Sequence, residues 1–102
     1  MPNRRSQIEA MLVEEPHDIF LRYSLAMELE KEGEHDASLA KLTELMEEDT
    51  PYVPAFFMAG QQLARLDRLD DAKSVLRNGI DQAQQSGDSH AAAEMSEFLQ
   101  NL

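Results

Sequence analysis

The sequence repeats its own pattern after 34 residues, and this period constrains the fold more than any other feature. When the chain is shifted by that number, apolar residues meet apolar residues and small residues meet small ones, without a gap. The matched pairs are Leu25 with Ala59, Ala26 with Gly60, Leu29 with Leu63, Ser38 with Ala72, Leu42 with Leu76 and Met46 with Ile80. A fixed period of about 20–50 residues is typical of stacked repeats, so the chain is predicted to be an array of similar units.

Each unit is predicted to be helical, because apolar residues recur at the three-or-four spacing of a helix that buries one face. The apolar stripes are Ile19, Tyr23, Ala26 and Leu29; Leu39, Leu42, Leu45 and Met46; Phe56, Ala59, Gly60 and Leu63; and Ala72, Val75, Leu76 and Ile80. Strong helix formers dominate, and no long segment alternates with the period of a strand. The prediction is an all-α chain with helices over 4–14, 18–32, 35–48, 53–66, 69–85 and 89–101.

The predicted helices are separated by residues that end or begin helices. Pro16 ends the first helix, and the carboxylate of Asp18 can cap the second. Gly33 is placed to end the second helix, because glycine readily adopts the left-handed conformation found there. Pro51 and Pro54 force a turn and then start the fourth helix. Short polar joints of this kind favour helical hairpins.

With helical hairpins at this period, the sequence resembles the tetratricopeptide repeat family, whose unit is a helix–turn–helix of 34 residues. That family has small residues where the two helices of a unit cross closely. Here they are Ala26 and Ser38 in one unit and Gly60 and Ala72 in the next. The bulky aromatic usual in the first helix is Phe56 in the second unit, but the first unit departs from the pattern with Arg22. The resemblance implies an α-solenoid, a right-handed array of antiparallel helical hairpins.

The repeat phase assigns residues 1–102 to a single tetratricopeptide-like domain. Carried backwards, the phase makes the first helix the second half of a repeat; carried forwards it fails, because Glu94 and Glu97 fall where apolar residues are needed. The expected units are a leading half-repeat helix over 4–16, repeat one over 19–52, repeat two over 53–86 and a capping helix over 88–102. The resemblance is to small stand-alone tetratricopeptide repeat proteins of bacterial type. Met1 and Leu102, without an obvious linker, favour the expectation of a whole small protein.

Charge and composition exclude several classes of partner. Nine Lys and Arg against twenty Asp and Glu give a net charge of −11, which repels phosphate backbones and anionic membranes. No apolar run approaches the roughly 20 residues of a membrane span, and the N-terminus lacks the apolar region of a signal peptide. The chain has no cysteine, and therefore no disulfide or thiolate site. We expect a cytoplasmic protein that binds neither nucleic acid nor membranes.

The sequence contains no recognisable catalytic pattern. The histidines His17, His35 and His90 lie in or beside predicted turns, and no metalloprotease, phosphate-loop, nucleophile-elbow or EF-hand motif is present. We therefore expect no enzyme activity, no cofactor and no metal site. The alternative is a carboxylate site in the acidic stretch from Glu28 to Asp49, where Glu28, Glu32 and Asp36 are the candidate ligands of a divalent ion.

The resemblance implies a concave groove lined by the first helices of the two repeats. The positions that contact ligands in this family hold Phe20, Tyr23, Met27, Glu30 and Lys31 in repeat one and Pro54, Phe57, Gln61, Ala64 and Arg65 in repeat two. The expected binding residues are Phe20, Tyr23, Met27, Lys31, Phe57, Gln61 and Arg65. They would form an apolar and aromatic floor with two cationic residues at one rim. Such a floor is either an open groove or core covered by a terminal helix.

Two functions are compatible with this groove. The first is a non-catalytic protein–protein interaction module, an adaptor that binds a peptide or helix of a partner. The second is a self-associating structural unit, a homodimer formed through the same apolar face. Tetratricopeptide domains that hold a chaperone's C-terminal carboxylate use Lys and Asn on this face, and that clamp is absent here. An apolar or helical peptide therefore fits better than an acidic tail. The acidic stretch is either a solvated face or a steering surface for a basic partner.

Overall fold

A computed structural model describes residues 3–102, which form six helices and, over that range, no strand. The helices are α1 (Arg4–Glu14), α2 (Ile19–Lys31), α3 (His35–Met46), α4 (Val53–Arg65), α5 (Leu69–Gln85) and α6 (Ser89–Gln100). The all-α prediction is confirmed, and the predicted helices agree with these bounds to within two residues at every end.

Local chemistry explains where the helices start and stop. The carboxylate of Asp18 accepts a hydrogen bond of 2.8 Å from the Leu21 N–H at the start of α2, as predicted. Asp88 caps α6 in the same way, accepting from the Ala91 N–H at 3.1 Å. Gly33 ends α2 with a φ of +81°, a conformation that glycine adopts without steric cost. The equivalent turn after α4 uses Asp67 with a φ of +61°.

Each helix packs against its neighbours in the chain, and α4 also contacts α6. The result is a row of antiparallel helical hairpins, α2 with α3 and α4 with α5, preceded by α1 and followed by α6. The array is elongated, with extents of 43 × 29 × 19 Å. This architecture is the predicted helical-hairpin array with a leading helix and a capping helix.

The small residues of the repeat lie where the helices approach most closely. Ser38 and Ala72 are completely buried, and a Cβ atom on Gly60 would lie 2.6 Å from Leu76 Cδ2. A Cβ on Gly79 would lie 2.5 Å from Phe56 Cβ, which is closer than carbon atoms pack. The period of small residues is therefore a packing requirement of the crossings between helices.

Arg22 occupies a position that usually holds an aromatic residue in this family, and it forms an ion pair there. Its Nη1 lies 2.6 Å from Glu48 Oε1, just beyond the end of α3, and the side chain retains 19% of its exposure. The pair links the first turn of α2 to the end of α3. Repeat one thus replaces an apolar contact at this position with an ion pair.

Candidate functional site

Three helices enclose a cleft of about 280 Å³ on one side of the array. Helix α2 contributes Tyr23, and α4 contributes a row of mostly apolar side chains: Val53, Pro54, Phe57, Met58 and Gln61. The opposite wall comes from α6 and the residue that caps it: Asp88, His90, Ala91, Glu94 and Met95. The cleft is therefore apolar on its floor and acidic along one wall.

Two aromatic contacts fix the floor of this cleft. The rings of Tyr23 and Tyr52 meet edge to face, with centroids 5.4 Å apart and planes at 70°. Phe57 and Phe98 meet in the same way, with centroids 5.8 Å apart and planes at 71°. Edge-to-face pairs contribute about 0.5–1.5 kcal/mol beyond the area they bury. The two central aromatic residues of the cleft are thus held by ring contacts from outside it.

The ionisation of Tyr23 is also perturbed. Partial burial raises the pKa of its phenol above the usual 10.0, and the neighbouring Tyr52 raises it further. The hydroxyl group therefore remains protonated throughout the neutral range. A protonated phenol at the edge of the floor can donate a hydrogen bond to a ligand's carbonyl group.

The structure brings together three of the predicted binding residues, Tyr23, Phe57 and Gln61, which all line the cleft. The other four predicted residues, Phe20, Met27, Lys31 and Arg65, lie outside its lining on the same two helices. Phe20 is 67% exposed in the first turn of α2, and Met27 is half-buried one turn beyond Tyr23.

The two predicted cationic residues at the rim have acidic neighbours on α2. Lys31 Nζ lies 3.4 Å from Glu28 Oε1, and Arg65 Nη2 lies 3.6 Å from Glu30 Oε1. Both cationic side chains are more than half exposed, so each ion pair is worth at most about 1 kcal/mol.

The acidic wall of α6 was not among the predicted site residues. Carrying the 34-residue period forward to Gly87 places Asp88, Ala91 and Met95 at the positions equivalent to Phe20, Tyr23 and Met27. Asp88, which caps α6, and the two α6 residues Ala91 and Met95 all line the cleft. The 34-residue period alone could therefore have predicted these three lining residues, although the apolar pattern of the repeat fails at Glu94.

About half of the nine carboxylates in the acidic stretch from 28 to 49 are paired with cationic side chains of the protein. Five of its carboxylates have a Lys or Arg nitrogen within 4.0 Å: Glu28, Glu30, Glu32, Glu44 and Glu48. Two of these pairs attach α1 to α2, since Arg4 Nε lies 2.9 Å from Glu28 and Arg5 Nη1 lies 3.0 Å from Glu32. No group of three His, Asp or Glu residues in the described part of the chain converges as a set of metal ligands.

Three other grooves have larger volumes but no Phe or Tyr in their linings. One, of about 460 Å³, lies between α3 and α5, and a second, of about 440 Å³, lies between α5 and α6. The third, of about 400 Å³, lies among α1, α2 and α3. Aromatic residues supply much of the binding energy at interfaces. The cleft between α2, α4 and α6 is therefore the stronger candidate site.

Comparison with known proteins identifies structural relatives. Among the helices within residues 3–102, none has the length and apolar character needed to cross a bilayer. In the comparisons, no family model and no curated protein matches the chain. A protein of Bordetella parapertussis, solved in solution, superposes with a TM-score of 0.83 at 26% identity, over 99% of this chain and 88% of that one.

A tetratricopeptide repeat domain protein of Salinibacter ruber is more similar in sequence. Its solution structure is 35% identical, with a TM-score of 0.79 over 84% of this chain and 87% of that one. The crystal structure of a tetratricopeptide repeat domain protein from the same organism is 34% identical, with a TM-score of 0.74 over 83% and 94%. The helical hairpins, the 34-residue period and this similarity show that the chain belongs to the tetratricopeptide repeat family, a fold of protein-interaction repeats.

Proposed function

We propose that this protein is a non-catalytic interaction module that binds a short apolar segment of a partner protein between α2, α4 and α6. The observation that carries the proposal is the cleft itself, with Tyr23 and Phe57 on its floor and α6 as its second wall. Rigid aromatic anchors in a partly enclosed cleft are typical of the residues that contribute most to binding.

The dimensions of the cleft define what it can hold. Its volume of about 280 Å³ is near the lower end of ligand pockets. One or two bulky apolar side chains of a ligand would fill it, packed against Phe57 and Met58. Gln61 at the edge offers an amide donor and acceptor for the ligand backbone. Phe20, Met27, Lys31 and Arg65 lie on the same helices and would contact the flanking parts of a longer ligand.

The chemistry of the lining supports binding rather than catalysis. Among the described residues, no Ser, Thr, Cys or Lys lines the cleft, so its lining contains no serine, threonine, cysteine or lysine nucleophile. Its carboxylates belong to Asp88 and Glu94, of which Asp88 caps a helix and Glu94 lies beside His90. Within residues 3–102, no Ser, Thr or Cys of the lining lies beside the Glu94–His90 pair to be activated by it as a nucleophile.

A cleft-filling variant tests this proposal. Peptides selected from a random displayed library on the wild-type protein would be measured against Gln61→Trp, which adds bulk inside the cleft, and Gln100→Trp, which adds the same bulk on the exposed end of α6. We expect Gln61→Trp to weaken binding at least about tenfold, while Gln100→Trp leaves it unchanged. Equal binding by both variants would show that the peptides bind elsewhere.

Self-association through the same side of the array is the second candidate function. The observation that favours it is Phe20, which is 67% exposed although it belongs to the predicted apolar face. A second copy that covered Phe20 would give a dimer whose melting temperature rises with protein concentration. Sedimentation equilibrium of wild type and Phe20→Glu distinguishes this from a monomeric adaptor, because only a dimer through Phe20 would dissociate on substitution.

A further inference from the structure

We propose that the segment bound in the cleft is basic as well as apolar, with lysine or arginine residues on either side of an apolar anchor. This inference rests on the proposed function, because it concerns the ligand of the same cleft. It adds the chemical class of the partner, which the apolar floor alone does not specify.

Carboxylates of α6 and of its capping residue border the cleft and an adjoining hollow. Asp88 and Glu94 line the cleft, and Glu94 and Glu97 line an adjoining hollow of about 260 Å³ beside Phe57 and Phe98. Over residues 3–102, no Lys or Arg contributes to either lining. In both hollows that Phe57 lines, the α6 side is therefore negative.

These charges are not neutralised by cationic side chains of the protein. Glu94 is half exposed, and its ion-pair neighbour within the described chain is His90, at 3.0 Å, which is charged only when protonated. Glu97 has no ion pair within residues 3–102. After Arg77 the sequence contains four acidic residues and no Lys or Arg.

The other end of the groove differs, because its charges are internally balanced. Lys31 and Arg65 lie within 4.0 Å of Glu28 and Glu30, respectively. A ligand with acidic residues would have to displace these pairs and would also meet the negative wall of α6. A basic ligand gains attraction along α6 without breaking an ion pair to Lys or Arg.

The spacing of the carboxylates suits a short extended segment. Glu94 and Glu97 are three residues apart on one helix, so they share a face about 5–6 Å apart. Asp88 lines the same cleft as Glu94 and lies six residues before it, a rise of roughly 9 Å at 1.5 Å per residue. An extended peptide advances about 3.3 Å per residue, so basic residues on each side of a two-residue anchor would lie about 10 Å apart, close to that spacing.

A second copy of this chain is a poor occupant of the cleft for the same reason. Each copy has a net charge of −11, so a second copy would approach the acidic wall of the cleft with a surplus of negative charge. Like charges at an interface oppose association and select against wrong partners. The charge pattern thus favours a basic segment of a different protein.

The test is a selection of binding peptides from a random displayed library. The quantity measured is the excess of Lys and Arg over Asp and Glu next to apolar residues in the selected sequences. It uses the wild-type protein, Glu94→Gln/Glu97→Gln and the matched control Glu14→Gln/Glu15→Gln. Both variants change the net charge from −11 to −9 (−11 + 2), but Glu14 and Glu15 are exposed at the end of α1. Asp88 is retained because it caps α6.

We expect basic, apolar-anchored peptides whose affinity falls about five- to tenfold in Glu94→Gln/Glu97→Gln and less than about twofold in the control. Their affinity should also fall between about 50 mM and about 300 mM salt. The selection could instead yield peptides whose binding is weakened by Gln61→Trp but which contain no excess of Lys and Arg over Asp and Glu. That result would overturn this inference and leave the proposed function intact. A selection that yields no cleft-dependent peptide would overturn both.

Discussion

Phe98 of α6 packs edge-on against Phe57 of α4, with ring centroids 5.8 Å apart. This contact joins the last helix to the floor of the cleft, so α6 is at once the cap of the array and a wall of the cleft. The same helix covers the end of the core, where Met95 is completely buried among Phe56, Leu76 and Ala83. Stability at the end of the array and the shape of the cleft are therefore coupled.

Removing the Phe98 ring should loosen α6 more than the rest of the protein. We expect Phe98→Ala to lower the free energy of unfolding by about 1–3 kcal/mol, less than for a fully buried ring, because Phe98 is only partly buried. Urea denaturation measures the loss, and amide hydrogen exchange shows whether α6 opens first. Gln100→Ala, exposed on the same helix, serves as the control and should change neither measurement.

The two glycines at helix crossings should differ in their tolerance of a methyl group. In Gly79→Ala the new Cβ meets Phe56 Cβ at 2.5 Å, an atom fixed to the backbone of α4. In Gly60→Ala it meets the end of the Leu76 side chain at 2.6 Å, which can rotate. We expect Gly79→Ala to cost about 1–3 kcal/mol and Gly60→Ala to cost less, after the gain in helix propensity. Thermal and urea unfolding rank them, and equal costs would contradict the packing described here.

A buried polar chain joins the two repeats. Ser38 Oγ donates to the Ala26 carbonyl at 2.6 Å and accepts from Gln62 Nε2 at 3.2 Å, while Gln62 Oε1 has no hydrogen-bond partner within the described chain. Ser38→Ala leaves both groups without this partner, so we expect a loss of about 1–3 kcal/mol in unfolding free energy.

The double variant Ser38→Ala/Gln62→Met tests that explanation. Methionine removes the amide and its unpartnered oxygen while keeping similar volume, so the pair of substitutions should cost clearly less than the sum of the single ones. Additive losses in urea denaturation would mean that Ser38 and Gln62 act independently.

The pH dependence of stability should show the shifted ionisation of Tyr23. Its pKa is raised in the folded protein above 10.0, so the unfolded chain releases this proton at a lower pH than the folded one. The unfolded state then binds fewer protons than the folded state, and stability falls as the pH rises through about 10 and above. The free energy of unfolding of Tyr23→Phe should therefore fall less steeply with rising alkaline pH than that of the wild type. An unchanged slope would show that Tyr23 is not buried as described.

Much of the fold could be predicted because its rules are local or periodic. The spacing of apolar residues determined the helix bounds, and the buried small residues Ser38, Gly60 and Ala72 followed from the 34-residue period. Tyr23 and Phe57 could be placed on one face, since equivalent positions of successive repeats are neighbours in the array.

The remaining features depend on contacts that leave no periodic signal. Arg5 and Glu32 pair across 27 residues of sequence, so the neutralisation of the acidic stretch could not be read from composition. The role of α6 was hidden because Glu94 and Glu97 interrupt the apolar pattern, although they lie on the side of the helix that borders the cleft and its adjoining hollow. In the sequence alone, such charged residues cannot be distinguished from those on the solvent-exposed face of a capping helix.

A titration of the uniformly ¹⁵N-labelled protein with a peptide selected on it, followed by NMR, shows whether the cleft between α2, α4 and α6 binds the peptide. If it does, saturable changes in chemical shift will concentrate on the amides around Tyr23, Phe57 and Glu94, and Gln61→Trp will remove them. Changes centred instead on the groove between α3 and α5, unaffected by Gln61→Trp, would contradict binding in this cleft.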